Sequence, residues 1–524
     1  MEVKGLVTTL FTAVTLSTVG AQTVVHTPKL VVGITIDQLR ADYLELFSSL
    51  YGEKGFHRLW KEGRVYTGEY DYSTPDRASS VASIFTGTVP TIHGIVGENW
   101  LDPNTLLMKN CVDDRNYMGN YTDENSSAEQ LLTSTLGDEL KVATEGKGLV
   151  YAFSAYREAA ILAAGHAADG AFWLDENQGK WCGSTYYSTF PFFISAFNLQ
   201  EGTDLSIQKM EWKPLRNASD YKYLPSAYAS EPFSYRFTDY GATKYRYLKT
   251  SPLINDELNR LLRKTFTETK LGRDEVTDLL SVTYYAGPYN HQPETDVALE
   301  LQDTYVRLDR QLAELLDLID QQIGLQNAFI FITSTGYTDD EKSTNPKFRI
   351  PTGEFYIERS TALLNMYLTA QYGSGQWVEA YDGLQLYLNH KLIEDKKLNL
   401  AQIQQQACDF LIQVSGVREV YSASDLLQHA WVPSVRKIRN AYNRNRSGDI
   451  QMEVMPGWQI INAKDKSKNH IVRSAVVPAP LIFIGGGIPA AKIEMPVNID
   501  RIAPTISKAI RIRAPNGCTE SALF

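Results

Sequence analysis

The chain has 524 residues, of which 43% are hydrophobic, and carries a formal net charge of −10. That length is enough to bury a large core, and the abundance of aromatics, 30 Tyr among them, excludes a disordered or low-complexity chain. The acidic balance argues against nucleic acid as a partner, because its phosphates attract basic proteins.

Residues 1–21 read as a signal peptide. Lys4 precedes a mostly apolar stretch from Leu6 to Val19, and Val19-Gly20-Ala21 offers small residues before Gln22. An exported, periplasmic protein is expected. No later apolar run is long enough to be a transmembrane segment. Cys111, Cys182, Cys408 and Cys518 are widely spaced with no CxxC pair, so a structural zinc cluster is not expected. Four cysteines allow three disulfide pairings, and their spacing does not choose among them.

Residues 29–36 form a continuous β-rich run ending at Asp37, as a buried parallel strand delivering a carboxylate at its C-terminal end would. Runs of the same kind cover 148–153, 279–284, 328–332 and 481–484. Between them, 297–323 predicts a long amphipathic helix, with Leu301, Tyr305, Leu308, Leu312, Leu315, Leu316 and Ile319 on one face. Strand, long helix, strand is the grammar of a parallel sheet. Two stretches interrupt it. The expected organisation is a core over 22–199, 276–340 and 433–524, a Tyr-rich cap insertion over 200–275, and a second insertion over 341–432 that is helical around 400–414.

The stretch Ile84-Phe85-Thr86-Gly87-Thr88-Val89-Pro90-Thr91-Ile92-His93-Gly94-Ile95-Val96-Gly97 resembles the alkaline phosphatase superfamily. Within it, the chain is similar to the bacterial branch related to nucleotide pyrophosphatase/phosphodiesterases and phosphate-monoester phosphatases. Asp37-Gln38-Leu39-Arg40, Arg157 with Ala160 to His166, Tyr442 to Trp458, and Ile499 to Thr505 carry the same resemblance in the same order. It implies an α/β fold, a three-layer sandwich with a mostly parallel central sheet and cap insertions. It also implies two zinc ions held by about six Asp and His ligands, and a Thr or Ser nucleophile at a helix N-terminus.

Most of those ligand positions carry other residues. Asp37 matches the first ligand. Counting back from Ile84 places Arg77 at the nucleophile. Thr74, followed by Pro75, reads as a helix N-cap, with a displaced nucleophile as the alternative. Pro288 and Gln292 fall at a paired Asp and His, and His291 beside them reads as a loop histidine. Ser334 and Thr335 replace an adjacent Asp-His pair, and Asp339 and Asp340 beyond them read as a solvated turn. His470 lies near the last metal histidine without its usual companions. Arg157 retains a phosphate contact, but Ala155 stands at a lysine position. Glu98, with Asn99 next to it, stands at an asparagine that contacts phosphate, and an acidic group there repels phosphate.

Without zinc, a buried Asp37 needs another cation, and an Asp37–Arg77 ion pair is expected. The expected function is a secreted superfamily member that has lost two-zinc phosphoryl transfer. It would act as a binding or structural protein, with an unknown protein or anionic ligand as partner and no cofactor. The alternative is an active phosphatase or phosphodiesterase that uses Thr74, with zinc held by a set drawn from Asp37, Asp76, Glu98, His93 or His470. A third reading keeps a metal-free site for an anion or glycan, anchored by Arg157 and Arg77.

Overall fold

The computed structural model describes residues 27–187, 189–224, 232–337, 352–428, 433–463, 469–472 and 478–524. The expected signal peptide and the Asp339–Asp340 turn lie outside these residues. The first apolar run forms β1 (Leu30–Asp37), buried at every position. A strand covered on both faces needs no polar alternation, which is why its sequence is a near-continuous run of Leu, Val and Ile.

Ten strands build the central sheet. In chain order they are β1, β2 (Arg64–Glu69), β3 (Gly119–Asn120), β4 (Val150–Ser154), β5 (Gly170–Leu174), β6 (Trp181–Ser184), β7 (Asp278–Tyr285), β8 (Ala328–Ser334), β13 (Ala479–Gly485) and β14 (Ala491–Asn498). The numbers between belong to a smaller sheet of β9 (Val378–Asp382), β10 (Gln385–Leu388), β11 (Val417–Ser422) and β12 (Ile450–Val454). The large sheet runs β14-β2-β13-β8-β1-β7-β4-β5-β6-β3. Its centre, from β8 through β1, β7 and β4 to β5, is parallel. The expected α/β sandwich with a mostly parallel sheet is therefore present. One strand differs from the expectation. The run at 481–484 belongs to β13, which pairs antiparallel with β8. A parallel strand needs a crossover connection, usually a helix, and the element before β13 is instead a short strand, His470–Ile471.

Six helices and one more at the C-terminal end matter for the site and its support: α1 (Arg77–Thr86), α2 (Leu136–Ala143), α3 (Arg157–Ala164), α4 (Leu253–Glu268), α5 (Ala298–Gln322), α6 (Leu400–Leu411) and α7 (Ile502–Ala509). The predicted stripe of α5 is buried on one face of the sheet together with Leu30, Val32, Ile34 and Ile36. Leu258, Leu261, Leu262 and Phe266 of α4 share that core, so this part of the 200–275 stretch is a layer of the sandwich. On the other face Val31 packs with Val81, Ile84 and Phe85 of α1 and with α3. Each fully buried Leu, Ile or Phe contributes about 1.5–3 kcal/mol. A third cluster, from Phe355 to Ile460, surrounds α6 and the smaller sheet.

Gly33 lets α1 and β8 close on β1. A Cβ there would stand 2.6 Å from the Phe331 ring and 3.1 Å from Phe85. This close approach brings the N-terminus of α1 to the C-terminal end of β1, where ligands of open α/β sheets gather.

Candidate functional site

Three parallel strand ends define the floor. Thr335, just past β8, donates its backbone N–H to Ile36 O at 3.1 Å, and Ala286, just past β7, donates to Asp37 O at 2.9 Å. Asp37 is 1% exposed. Its Oδ1 accepts the Thr335 hydroxyl at 2.8 Å and its Oδ2 accepts Arg77 Nη1 at 2.9 Å. The expected Asp37–Arg77 ion pair is thus formed.

Arg77 has two further carboxylate partners. Its Nε donates to Glu158 Oε1 at 2.6 Å and its Nη2 to Glu98 Oε2 at 3.1 Å. The guanidinium carbon lies 3.6 Å from the centre of the Tyr156 ring, an arrangement that adds cation–π attraction. Lys249 Nζ, from the helix Lys244–Lys249, lies 5.4 Å from the same ring and 3.1 Å from Glu176. Burial opposes the charge on Arg77, but Glu158, Asp37 and Glu98 outweigh it and hold the guanidinium protonated. Burial likewise opposes ionisation of Glu158, and Arg77 overcomes it, keeping that carboxyl below its usual range. Glu98 loses the competition: the neighbouring Glu158 charge, then burial, push it up to about 7 despite Arg77.

The start of α1 differs from the expected Thr74–Pro75 cap. Asp76 is the N-cap, its Oδ1 accepting the Ser79 N–H at 2.8 Å in a capping box. Asp76 Oδ2 also accepts the Glu98 N–H at 2.6 Å, which tethers the Glu98 loop. Asp outranks Thr as a cap, and its position lets one carboxylate serve both the helix and the loop. Thr74 is left outside the helix, exposed, with φ at 53°.

The remaining predicted positions are dispersed or engaged. Pro288 opens a short 3-10 turn, its carbonyl accepting the Tyr285 hydroxyl at 2.7 Å, while His291 and Gln292 are exposed. That loop is pinned by Glu294, which accepts Arg40 Nη1 at 2.9 Å and the Tyr43 hydroxyl at 2.5 Å. Ser334 donates its hydroxyl to Leu39 O at 2.8 Å. Arg157 Nη2 pairs with Asp113 at 2.8 Å and its Nη1 donates to Ser126 at 3.2 Å. Asn99 is exposed and accepts from Asn110 across a hairpin at 3.1 Å. His93 is fully buried with Nε2 3.0 Å from the Ser83 hydroxyl and Nδ1 accepting Ile95 N–H at 3.1 Å. Burial, then the Arg446 charge, lower it to about 3. His470 is exposed in a hairpin opposite Ile460. All four cysteines are free thiols.

Glu158, Tyr156 and the hydroxyl bond of Thr335 complete the Arg77–Asp37 cluster, and none of these contacts was read from the sequence. The available signal was an acidic residue directly after Arg157 in the first turn of a helix.

An α/β sandwich with a carboxylate at the end of its central strand, facing a helix N-terminus, is the architecture of the alkaline phosphatase superfamily. Residues 31–475 match the family described as type I phosphodiesterase / nucleotide pyrophosphatase. The chain belongs to that family. It is 31% identical over 520 residues to the alkaline phosphatase PafA of Elizabethkingia meningoseptica, covering 94% of this chain and 93% of that protein. To the alkaline phosphatase PhoV of Synechococcus elongatus it is 29% identical, over 94% and 91% of the two chains. The crystal structure of wild-type PafA superposes with a TM-score of 0.82 at 29% identity, covering 95% of this chain and 98% of that one.

The residues at this site do not fit the two zinc ions that the resemblance implies. Zinc takes Asp, Glu, His and Cys donors. Here both Asp37 oxygens are hydrogen-bonded, Glu98 and Glu158 are held by the Arg77 guanidinium, and Ser334 and Thr335 supply neither carboxylate nor imidazole. Among the described residues no group of three or more His, Cys, Asp or Glu is arranged to hold a metal ion.

Proposed function

We propose that this chain is a superfamily member without two-zinc phosphoryl transfer, acting as a binding or structural protein. The observation that carries this reading is Arg77. A guanidinium bound by three carboxylates occupies the register of the nucleophile, where the chemistry needs a hydroxyl activated by metal. Among the described residues, Arg77, Arg157 and Lys249 are each engaged by acidic groups, which leaves phosphate little cationic attraction there. The same engagement weighs against an anion site built on those two arginines. The test is zinc content after zinc loading and desalting, with hydrolysis of 4-nitrophenyl phosphate measured on the same sample. Near-zero metal and background hydrolysis are expected, whereas about two ions per chain with turnover would sink the reading.

Phosphatase activity is the second reading. It is favoured by the alkaline phosphatase names of PafA and PhoV and by the left-handed φ of Thr74, a strained conformation of the kind that active sites retain. Hydrolysis abolished by Thr74→Ala would establish it. Residues 1–21 are proposed as an export signal, with the N-terminal mass of the mature protein as the check.

A further inference from the structure

A cleft of about 630 Å³ opens where the strand Met108–Asn110 meets the loops at 113–117 and 129–130. That volume falls within the range of small-ligand sites. Met108 is the one aliphatic side chain among its described lining residues. Walls this polar do not suit an apolar ligand, because their groups would be desolvated without partners.

Arg446 stands behind one wall. It is 8% exposed, and among the described residues no carboxylate pairs with it. Its Nη1 donates to Gly94 O at 2.6 Å and its Nη2 to Gln130 Oε1 at 3.4 Å, and its guanidinium carbon lies 4.9 Å from the centre of the Trp100 ring. Neutral acceptors leave a buried guanidinium undercompensated, and burial lowers its pKa to about 10. A guanidinium only donates, so the Gln130 amide must turn its oxygen to Arg446. The Gln130 NH2 is then the donor left for the cleft, polarised by the charge behind it.

Lys109 and Arg115 line the same cleft, and among the described residues neither has an ion-pair partner. Two of the three carboxylates facing them are engaged elsewhere. Asp113 pairs with Arg157 at 2.8 Å, and Asp114 accepts the Ser127 hydroxyl at 2.7 Å and the Asn116 N–H at 2.9 Å. These bonds also fix the loop, as does the edge-on contact of Tyr117 with Tyr186 at 4.9 Å. With Arg157 on Asp113 and Arg446 behind Gln130, cations outnumber the three carboxylates by one.

We propose that this cleft binds a saccharide carrying one carboxylate, a uronic acid, with Lys109, Arg115 and the Gln130 amide receiving the carboxylate. One excess positive charge matches a carboxylate rather than a phosphate dianion, and the Arg115 fork suits carboxylate geometry. Glu129 and the Asn116 amide supply acceptor and donor groups for ring hydroxyls. The site shares no residue with the Arg77 cluster, so the proposal does not depend on whether that cluster turns over phosphate.

The test is calorimetric titration of aldotriouronic acid, a trisaccharide with one carboxylate, into the purified full chain. Neutral xylotriose and inorganic phosphate are titrated in parallel. The acidic saccharide is expected to saturate one site at millimolar concentration or below, and xylotriose to bind at least about tenfold more weakly, as loss of charge-assisted hydrogen bonds requires. Lys109→Ala with Arg115→Ala should weaken the acidic saccharide at least about tenfold and leave the melting temperature unchanged, since neither side chain has an ion pair to lose. Gln130→Glu should act in opposite directions on stability and binding. Its carboxylate would compensate Arg446 and raise the melting temperature, while the lost donor and added negative charge would abolish saccharide binding. Absence of saturable binding by the acidic saccharide overturns the proposal, as does equal binding of xylotriose or wild-type affinity in either variant. Phosphate binding more tightly than the saccharide also overturns it. Phosphatase turnover by wild type would instead overturn the functional reading alone, so the two failures are distinct.

Discussion

At the scale of single residues, hydrogen-bond inventory decides charge states. Arg77 keeps its charge because three acceptors surround it, and His166 keeps its charge for a similar reason. His166 Nδ1 faces Asp138 Oδ2 at 2.9 Å and Nε2 faces Leu131 O at 3.0 Å. Both partners are acceptors, so the protonated ring, with both nitrogens donating, is the form that this site favours. Burial works against this, but the Asp138 hydrogen bond and charge raise His166 above its ordinary 6.5. A histidine with a raised folded pKa stabilises fully below 6.5 and loses that contribution as pH rises through the folded value. Replacing His166 with Gln is expected to cost about 1–2 kcal/mol in acid. The melting-temperature gap to wild type should close between pH 6.5 and alkaline pH; a pH-independent gap would refute the imidazolium assignment. Thr74 is the converse case, a β-branched residue at φ 53°, where Asn is better tolerated. Thr74→Asn should therefore raise stability by about 1 kcal/mol in chemical denaturation.

At the scale of elements, α1 is the hub. Its capping box fixes where the helix begins, and that start aims Arg77 at Asp37. Asp76 accepts from Ser79 and from the Glu98 N–H, so Asp76→Ala removes a cap and leaves a second donor unpaired. A loss of about 2 kcal/mol is expected, read as a lower denaturation midpoint. An unchanged midpoint would mean that Thr74 or water takes over the cap. The second hub is the α2–α3 corner, where Gly165 sits at φ 81° and a Cβ would meet Thr135 Oγ1 at 2.1 Å. Only glycine reconciles that turn with the capping box of α2, and His166 follows directly from it.

At the scale of the whole molecule, two sheets divide the buried apolar surface. β1 is covered on both faces and central in the large sheet, whereas β9 is an edge strand with one buried position. Opening free energy follows local burial, so amides of β1 and β8 should exchange with deuterium more than about tenfold more slowly than those of β9. Uniform protection across both sheets would show that the chain opens only as one unit.

Much of this was legible from local pattern. The apolar run of β1, the stripe of α5 and the helix over 400–414 are periodicities, and periodicity is a property of neighbouring residues. The Asp37–Arg77 pair followed from the rule that a buried carboxylate needs a cation. What the sequence by itself determined was therefore the fold class and the main elements. Only the tertiary structure decided who surrounds Arg77: Glu158 lies 81 residues away and meets it because α1 and α3 pack side by side. It also decided the antiparallel direction of β13 and the choice of Asp76 over Thr74. Each of these depends on which chain segments the core brings together, and such contacts leave no period in the sequence.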